Sequence, residues 1–249
     1  TLGASTLSSN TVGSNNVAIG SEALFSSTNA NNNTAVGRSA LRSTTSASNN
    51  TAVGMQALQS NTTGINNNAI GVGSLFYNTT GFNNVAVGVN ALQNNTIGTD
   101  NIAIGQDALY SNTTLVQTVA IGSGALRFQT GGGSNVAIGY NALYTTTDGI
   151  GHTAIGTNAL RSLQGTTFGN TAIGSSAMRN ATTSSYNTAI GNKSLELLTT
   201  GTINIAIGSE ALAQVITGSG NTAIGGFALK VATSSNNTAA VSYTHLRAH

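Results

Sequence analysis

The chain contains no cysteine, no proline and no tryptophan. Without cysteine there can be no disulfide and no thiolate zinc site. Charge is equally scarce: 6% of residues are Asp, Glu, Lys or Arg, against about a quarter in ordinary globular domains. The formal net charge of +2 includes Arg247, which lies outside the patterned part of the chain. A surplus this small is not a basic patch, so neither a nucleic acid nor an anionic membrane surface is expected as partner. No stretch of 18 apolar residues occurs, so no membrane-spanning helix and no membrane insertion of this segment are expected. There is no signal-peptide pattern and no initiator at Thr1, so the chain reads as an internal fragment with both ends incomplete.

What remains is rich in Gly, Asn, Ser and Thr, a composition compatible with disorder. Periodicity argues against that. The glycine closing each Ala-Ile-Gly or Ala-Val-Gly recurs at Gly20, Gly37, Gly54, Gly71, Gly88, Gly105, Gly122, Gly139 and Gly156, always at a step of 17. Gly174 follows after 18, and Gly191, Gly208 and Gly225 resume the step of 17. One residue has been inserted between Leu160 and Asn170. A fixed short period is the signature of a solenoid.

The columns are strict. Ala stands two before each glycine and Ile or Val one before it. Leu stands four after it, from Leu7 to Leu229, with Met178 the one substitute, and a small residue precedes each Leu. Eight after the glycine, Thr fills twelve of fourteen repeats, with Gln164 and Ile216 the exceptions. Four before it stands Asn, broken by Thr118 and His152. Asn-x-Ala-Ile/Val-Gly reads as a short strand whose successive side chains point to opposite faces. Ile19 then shares a face with Val17, and Ala18 shares the other with Asn16 and Gly20. Ile/Val and Leu are the large apolar residues kept in every repeat, so they are expected to form the core that stacked repeats share. The Ala face is expected to be flat, for close approach of another backbone. Thr28 to Asn33, and Thr63-Gly64-Ile65-Asn66, carry turn chemistry. The Asn column is expected to stack as an amide ladder at a buried corner.

Seventeen residues are too few for a strand and a full helix. The expected fold is therefore all-β: a parallel β-solenoid, or β-roll, of about fourteen 17-residue coils over residues 1–239. The Ala-Leu segment is read as either a second strand or a single helical turn. Residues 240–249 leave the pattern. Val241 to His249 resemble a translated sequencing-library adapter, an assembly artefact outside the fold.

No catalytic, cofactor-binding or metal site is expected. The acids Glu22, Asp100, Asp107, Asp148, Glu196 and Glu210 are scattered through the repeats, with no pair at the spacing acid–base catalysis needs. His152 is read as an imidazole standing in for an amide of the ladder. Gly71-Val-Gly73 and Gly131-Gly-Gly133 lack the Lys-Ser/Thr of a phosphate loop. The candidate recognition column lies five after the glycine: Phe25, Arg42, Phe76, Tyr110, Arg127, Tyr144, Arg161, Arg179 and Lys230. Aromatics and arginine together are common at recognition surfaces, while a solvent column of long side chains lying over the neighbouring Leu is the preferred reading. The Thr column raises ice binding as an alternative, weakened because second threonines such as Thr63, Thr80 and Thr114 directly follow the first and so point to the opposite face.

The repeat Asn-Thr-Ala-Ile-Gly-x-x-Ala-Leu, seen at Asn170 to Met178 and Asn221 to Leu229, resembles the head repeats of YadA-like trimeric autotransporter adhesins. It also resembles phage tail-fibre and surface-protein repeats that often precede an endosialidase-type chaperone domain. The resemblance covers about residues 1–239. It implies a β-roll assembled as a homotrimer, with small-residue faces near the threefold axis, working in attachment or spacing on a cell or virion surface. The head coils of that family are shorter than this repeat, so coil shape does not carry over. Its left-handed precedent also disagrees with the usual right-handed crossover, which leaves handedness open. Alternatives are an ice- or polysaccharide-binding solenoid and the non-catalytic part of a tailspike.

Overall fold

The computed structural model describes residues 2–240; the adapter-like residues 241–249 lie outside them. The protein is an all-β parallel solenoid, without a helix among the described residues. Its turns close at a step of 17, as from Thr62 Oγ1 to Thr79 O. It forms two compact units, Thr1–Ser123 and Gly124–His249. The first carries β1 (Val17–Ile19), β2 (Thr34–Val36), β3 (Thr51–Val53), β4 (Asn68–Ile70), β5 (Val85–Val87), β6 (Ile102–Ile104) and β7 (Val119–Ile121). The second carries β8 (Val136–Ile138), β9 (Thr153–Ile155), β10 (Thr171–Ile173), β11 (Thr188–Ile190), β12 (Ile205–Ile207), β13 (Thr222–Ile224) and β14 (Thr238–Ala239). Within each unit every strand pairs in parallel with its sequence neighbour, Ala on Ala: Ala18 on Ala35, Ala35 on Ala52, Ala137 on Ala154, Ala206 on Ala223. Parallel neighbours need a long return path, and the rest of each coil provides it.

The inside of the coil is not what periodicity alone suggested. The strand alanines from Ala18 to Ala223 are buried, and the flanking Val17 and Ile19 are 48% and 40% exposed. The strand therefore faces inward with its small side and outward with its bulky one, the reverse of the expected arrangement. The core consists of the strand Ala and the Ala-Leu pair, for example Ala35 with Ala40 and Leu41, all fully buried. A turn this short encloses too little space for Leu from one wall and Ile from the other. Leu with Ala fills it at the density interiors require. The small-residue face is consequently the lining of the coil, and offers no outer surface for another chain.

The Ala-Leu segment is neither a second strand nor a right-handed helical turn. The Leu four after each glycine, and Met178, has φ between 47° and 51°. An L-residue in this left-handed region costs roughly 1–2 kcal/mol. Complete burial of a Leu side chain returns roughly 1.5–3 kcal/mol. The Leu N–H also donates to the next coil, as from Leu41 to the Ala57 carbonyl at 3.0 Å. Burial wins, and the strained turn recurs in coil after coil. The glycine after each strand from β1 to β13 has φ between 122° and 138°, and a Cβ on Gly88 would sit 2.7 Å from the Gly105 carbonyl. Backbone stacks directly on backbone here, so only glycine fits.

Two coils depart from the common period, and both do so at the same turn. Gln164 N donates to Thr182 O, and Ile150 N donates to Thr167 O. The extra residue therefore sits at Gly165–Thr166. Strand β14 pairs Thr238 with Thr222, a step of 16, and Gly218 faces Ser234, so one residue is missing after Thr233.

Candidate functional site

The Asn column forms the expected buried ladder. In the first unit, Nδ2 of Asn33, Asn50, Asn67, Asn84 and Asn101 each donates to Oδ1 of the preceding Asn at 3.2 Å. The same oxygen accepts the next backbone N–H, as from Asn50 to Asn33 Oδ1 at 2.9 Å. In the second unit Asn187, Asn204, Asn221 and Asn237 continue the pattern. His152 takes an amide's place: its Nδ1 accepts the Asn170 N–H at 3.0 Å, and its Nε2 lies 3.0 Å from Thr167 Oγ1. Burial pushes its pKa down to about 4, only partly offset by the hydrogen bond at Thr167.

A second interior column was overlooked, seven after the glycine. From Ser27 to Ala232 it is buried in both units. In the first it becomes an amide ladder, with Asn78 Nδ2 on Asn61 Oδ1 and Asn95 Nδ2 on Asn78 Oδ1, each at 2.8 Å. In the second it turns apolar at Leu163, Ala181, Leu198, Val215 and Ala232. The run Asn61, Asn78, Asn95, Asn112 was a readable signal.

The Thr column is tied down. Thr62, Thr79 and Thr96 each donate Oγ1–H to the Thr carbonyl of the next coil at 3.0 Å, as Thr182 does at 3.1 Å. These hydroxyl donors are spent on the fold, which weakens this column as an ice-binding array.

The outward strand face has a different character. Its two columns, from Val17 to Thr238 and from Ile19 to Ile224, hold no charged residue. In the first unit Ile19, Ile70 and Ile104 are exposed, and Met55, Val72 and Val89 widen the apolar strip beside them. In the second, Thr153, Thr171, Thr188 and Thr222 stand in line with Ile155, Ile173, Ile190 and Ile224.

The candidate recognition column is laid out coil by coil, with Phe25, Arg42, Phe76 and Tyr110 in the first unit. Arg127, Tyr144, Arg161, Arg179 and Lys230 belong to the second. All are half-buried except the exposed Arg179. Arg42 Nε donates to Glu22 Oε2 at 2.9 Å and the guanidinium lies 5.3 Å from the Phe25 ring. The hydrogen bonds from Arg42, and then Ser39, hold the Glu22 carboxyl below its usual range. Lys230 pairs with Glu210 at 2.6 Å and lies 5.1 Å from the Phe227 ring. Phe76 packs edge-on against Tyr77 at 4.5 Å. Tyr144 is the centre of a cluster. Arg127 Nη1 donates to its hydroxyl at 3.2 Å, Phe128 meets it edge-on at 5.1 Å, and Arg161 lies 5.7 Å from its ring centre. Among the described residues no group of three or more His, Cys, Asp or Glu is placed to hold a metal ion.

No protein-family model matches this sequence, and neither a curated protein nor a solved structure does.

Proposed function

We propose that the chain is a repeat segment of a homotrimeric surface fibre, serving as spacer and as a multivalent attachment surface outside the cell or on a virion. The observation that carries this reading is the outward Ile/Val ladder. Its columns carry no charge, and their apolar side chains are exposed at Ile19, Val53, Ile70, Ile104, Ile190, Ile207 and Ile224 and half-buried in the coils between. Monomeric proteins rarely leave a contiguous apolar strip larger than a few hundred Å². An uncharged, repetitive face is complementary to a copy of itself, and closed symmetric assembly is the usual outcome for such faces. The interface of this proposal is the bulky strand face, since the small-residue face lines the coil. The resemblance of the repeat to trimeric adhesin heads and tail-fibre repeats points the same way. Stacked coils would then repeat weak contacts, so that avidity replaces single-site affinity.

The test is the mass of the full chain by light scattering after gel filtration, across a dilution series. A trimer is expected, and Ile70→Asp/Ile104→Asp should dissociate it while leaving the circular dichroism unchanged. A monomeric wild-type chain would overturn the proposal. A second reading then applies to the same face. Among the described residues the hydroxyls of Thr153, Thr171, Thr188 and Thr222 have no hydrogen-bond partner. Thr153, Thr171 and Thr188 stand on consecutive strands, about 4.8 Å apart, in register with an Ile column, and Ile205 separates them from Thr222. A flat, regular array of this kind suits ice, and thermal hysteresis in the monomer would support that reading.

A further inference from the structure

The bases of the recognition column are of two kinds. Arg42 and Lys230 each have a carboxylate twenty residues earlier, Glu22 and Glu210, with which they pair. At the corresponding places before Arg161 and Arg179 stand Asn141 and Asn158, which cannot neutralise a guanidinium. Among the described residues neither Arg161 nor Arg179 has an ion pair. The two occupy consecutive coils, joined by Ser162 N donating to Arg179 O at 3.2 Å. Arg161 lies against the Tyr144 ring, and its buried Nε has no hydrogen-bond partner. Arg179 is exposed. The charge balance of the units points to the same place. The described part of the second unit has five Lys or Arg (Arg127, Arg161, Arg179, Lys193, Lys230) against three Asp or Glu, and the first has two against three.

We infer that Arg161, against the Tyr144 ring, and Arg179, one coil further on, form a binding step for the carboxylates of an acidic polysaccharide. This rests on reading the segment as an attachment surface and names what that surface takes. A guanidinium stacked on an aromatic ring keeps its planar fork for a ligand, and the fork matches a carboxylate bidentately. Two arginines whose backbones lie one coil apart, about 4.8 Å, can meet successive groups along an extended chain. Tyr144 and the 40% exposed Phe128 offer ring surface to the apolar side of a sugar. Glu196 follows Arg179 in the same column and ends the cationic stretch after two coils. That is too short for the basic stripe a nucleic acid requires.

The test is retention of the full chain on immobilised polygalacturonate, with neutral dextran and heparin as comparison matrices. Binding to polygalacturonate and not to dextran is expected. Arg161→Gln/Arg179→Gln should weaken it by about tenfold or more, and Arg38→Gln/Lys193→Gln, which removes the same charge elsewhere, should leave it unchanged. Three outcomes overturn the inference: no retention of the wild type, equal loss in both double variants, or tighter retention on heparin. The light-scattering mass of the same samples reports separately on trimer formation, so the two proposals fail independently.

Discussion

Replacing one buried asparagine of the ladder should cost a large share of the stability, while replacing its exposed neighbour should cost almost nothing. Asn67 is fully buried. Its Oδ1 accepts the Asn84 backbone N–H at 3.0 Å and Asn84 Nδ2 at 3.2 Å. Its Nδ2 donates to Asn50 Oδ1 at 3.2 Å and to the Gly81 carbonyl at 2.9 Å. In Asn67→Ala the acceptors keep other donors: Asn50 Oδ1 still receives the residue 67 N–H, and Gly81 O still receives Asn78 Nδ2. The Asn84 backbone N–H and one hydrogen of its amide are left with nothing. Each buried orphan costs about 1–3 kcal/mol, so the substitution should cost about 2–6 kcal/mol. Asn66, one residue earlier, belongs to an exposed amide row, bonded to Asn83 at 3.1 Å and Asn49 at 3.3 Å. Its φ of 58° suits glycine, and water replaces its amide, so Asn66→Gly should stay within about 0.5 kcal/mol of wild type. Urea unfolding at one fixed protein concentration measures both, with hydrogen exchange at the Asn84 amide as the local reporter. Unchanged stability and unchanged Asn84 protection in Asn67→Ala would refute the reasoning.

Two further outcomes follow from the backbone and the histidine. Gly88→Ala meets both a φ of 133° and the Gly105 carbonyl 2.7 Å from the new Cβ, and should cost more than about 2 kcal/mol. Gly165→Ala meets a positive φ alone, with nothing within 4 Å, and should cost about 1 kcal/mol; equal midpoints in denaturant would contradict the stacking account. His152 must stay neutral to accept the Asn170 N–H, and its pKa is lowered from 6.5 to about 4. Its contribution is complete above pH 6.5. As pH falls from there towards about 4 the unfolded chain takes up a proton that the folded chain refuses, losing up to about 1.4 kcal/mol per pH unit. His152→Asn should abolish this part of the acid slope, and an identical slope in the variant would sink the assignment.

The period, the Asn ladder, the imidazole standing in for an amide and the single insertion were all legible in the sequence, because each is a property of one column. The direction of the strand was misread. Alternation places Ile19 opposite Ala18 but does not say which is inside. The answer was nevertheless implicit: Asn16 shares a face with Ala18, and a ladder at a buried corner requires that face to be the inner one. Hydrophobicity argued for Ile, and the narrowness of the coil overruled it. The turn at Leu24 was illegible for another reason. A left-handed φ is rare for Leu, and it is tolerated here because full burial outweighs its cost. The recognition column was visible as a list of residue types, but not its division into paired and unpaired bases. That division depends on which residue lies one coil earlier.

Both changes of coil length fall at one turn, at Gly165–Thr166 and after Thr233. In a repeat array each coil contacts its neighbours, so whole coils can be gained or lost without disturbing the rest. In this architecture a change of whole coils alters only how far the array extends. A change of a single residue is absorbed where the chain faces solvent, and the asparagine and alanine columns resume in phase on the other side, at Asn170 and Ala172 and at Asn237 and Ala239. The solenoid thus behaves as a ruler whose length can drift over generations without loss of its graduation.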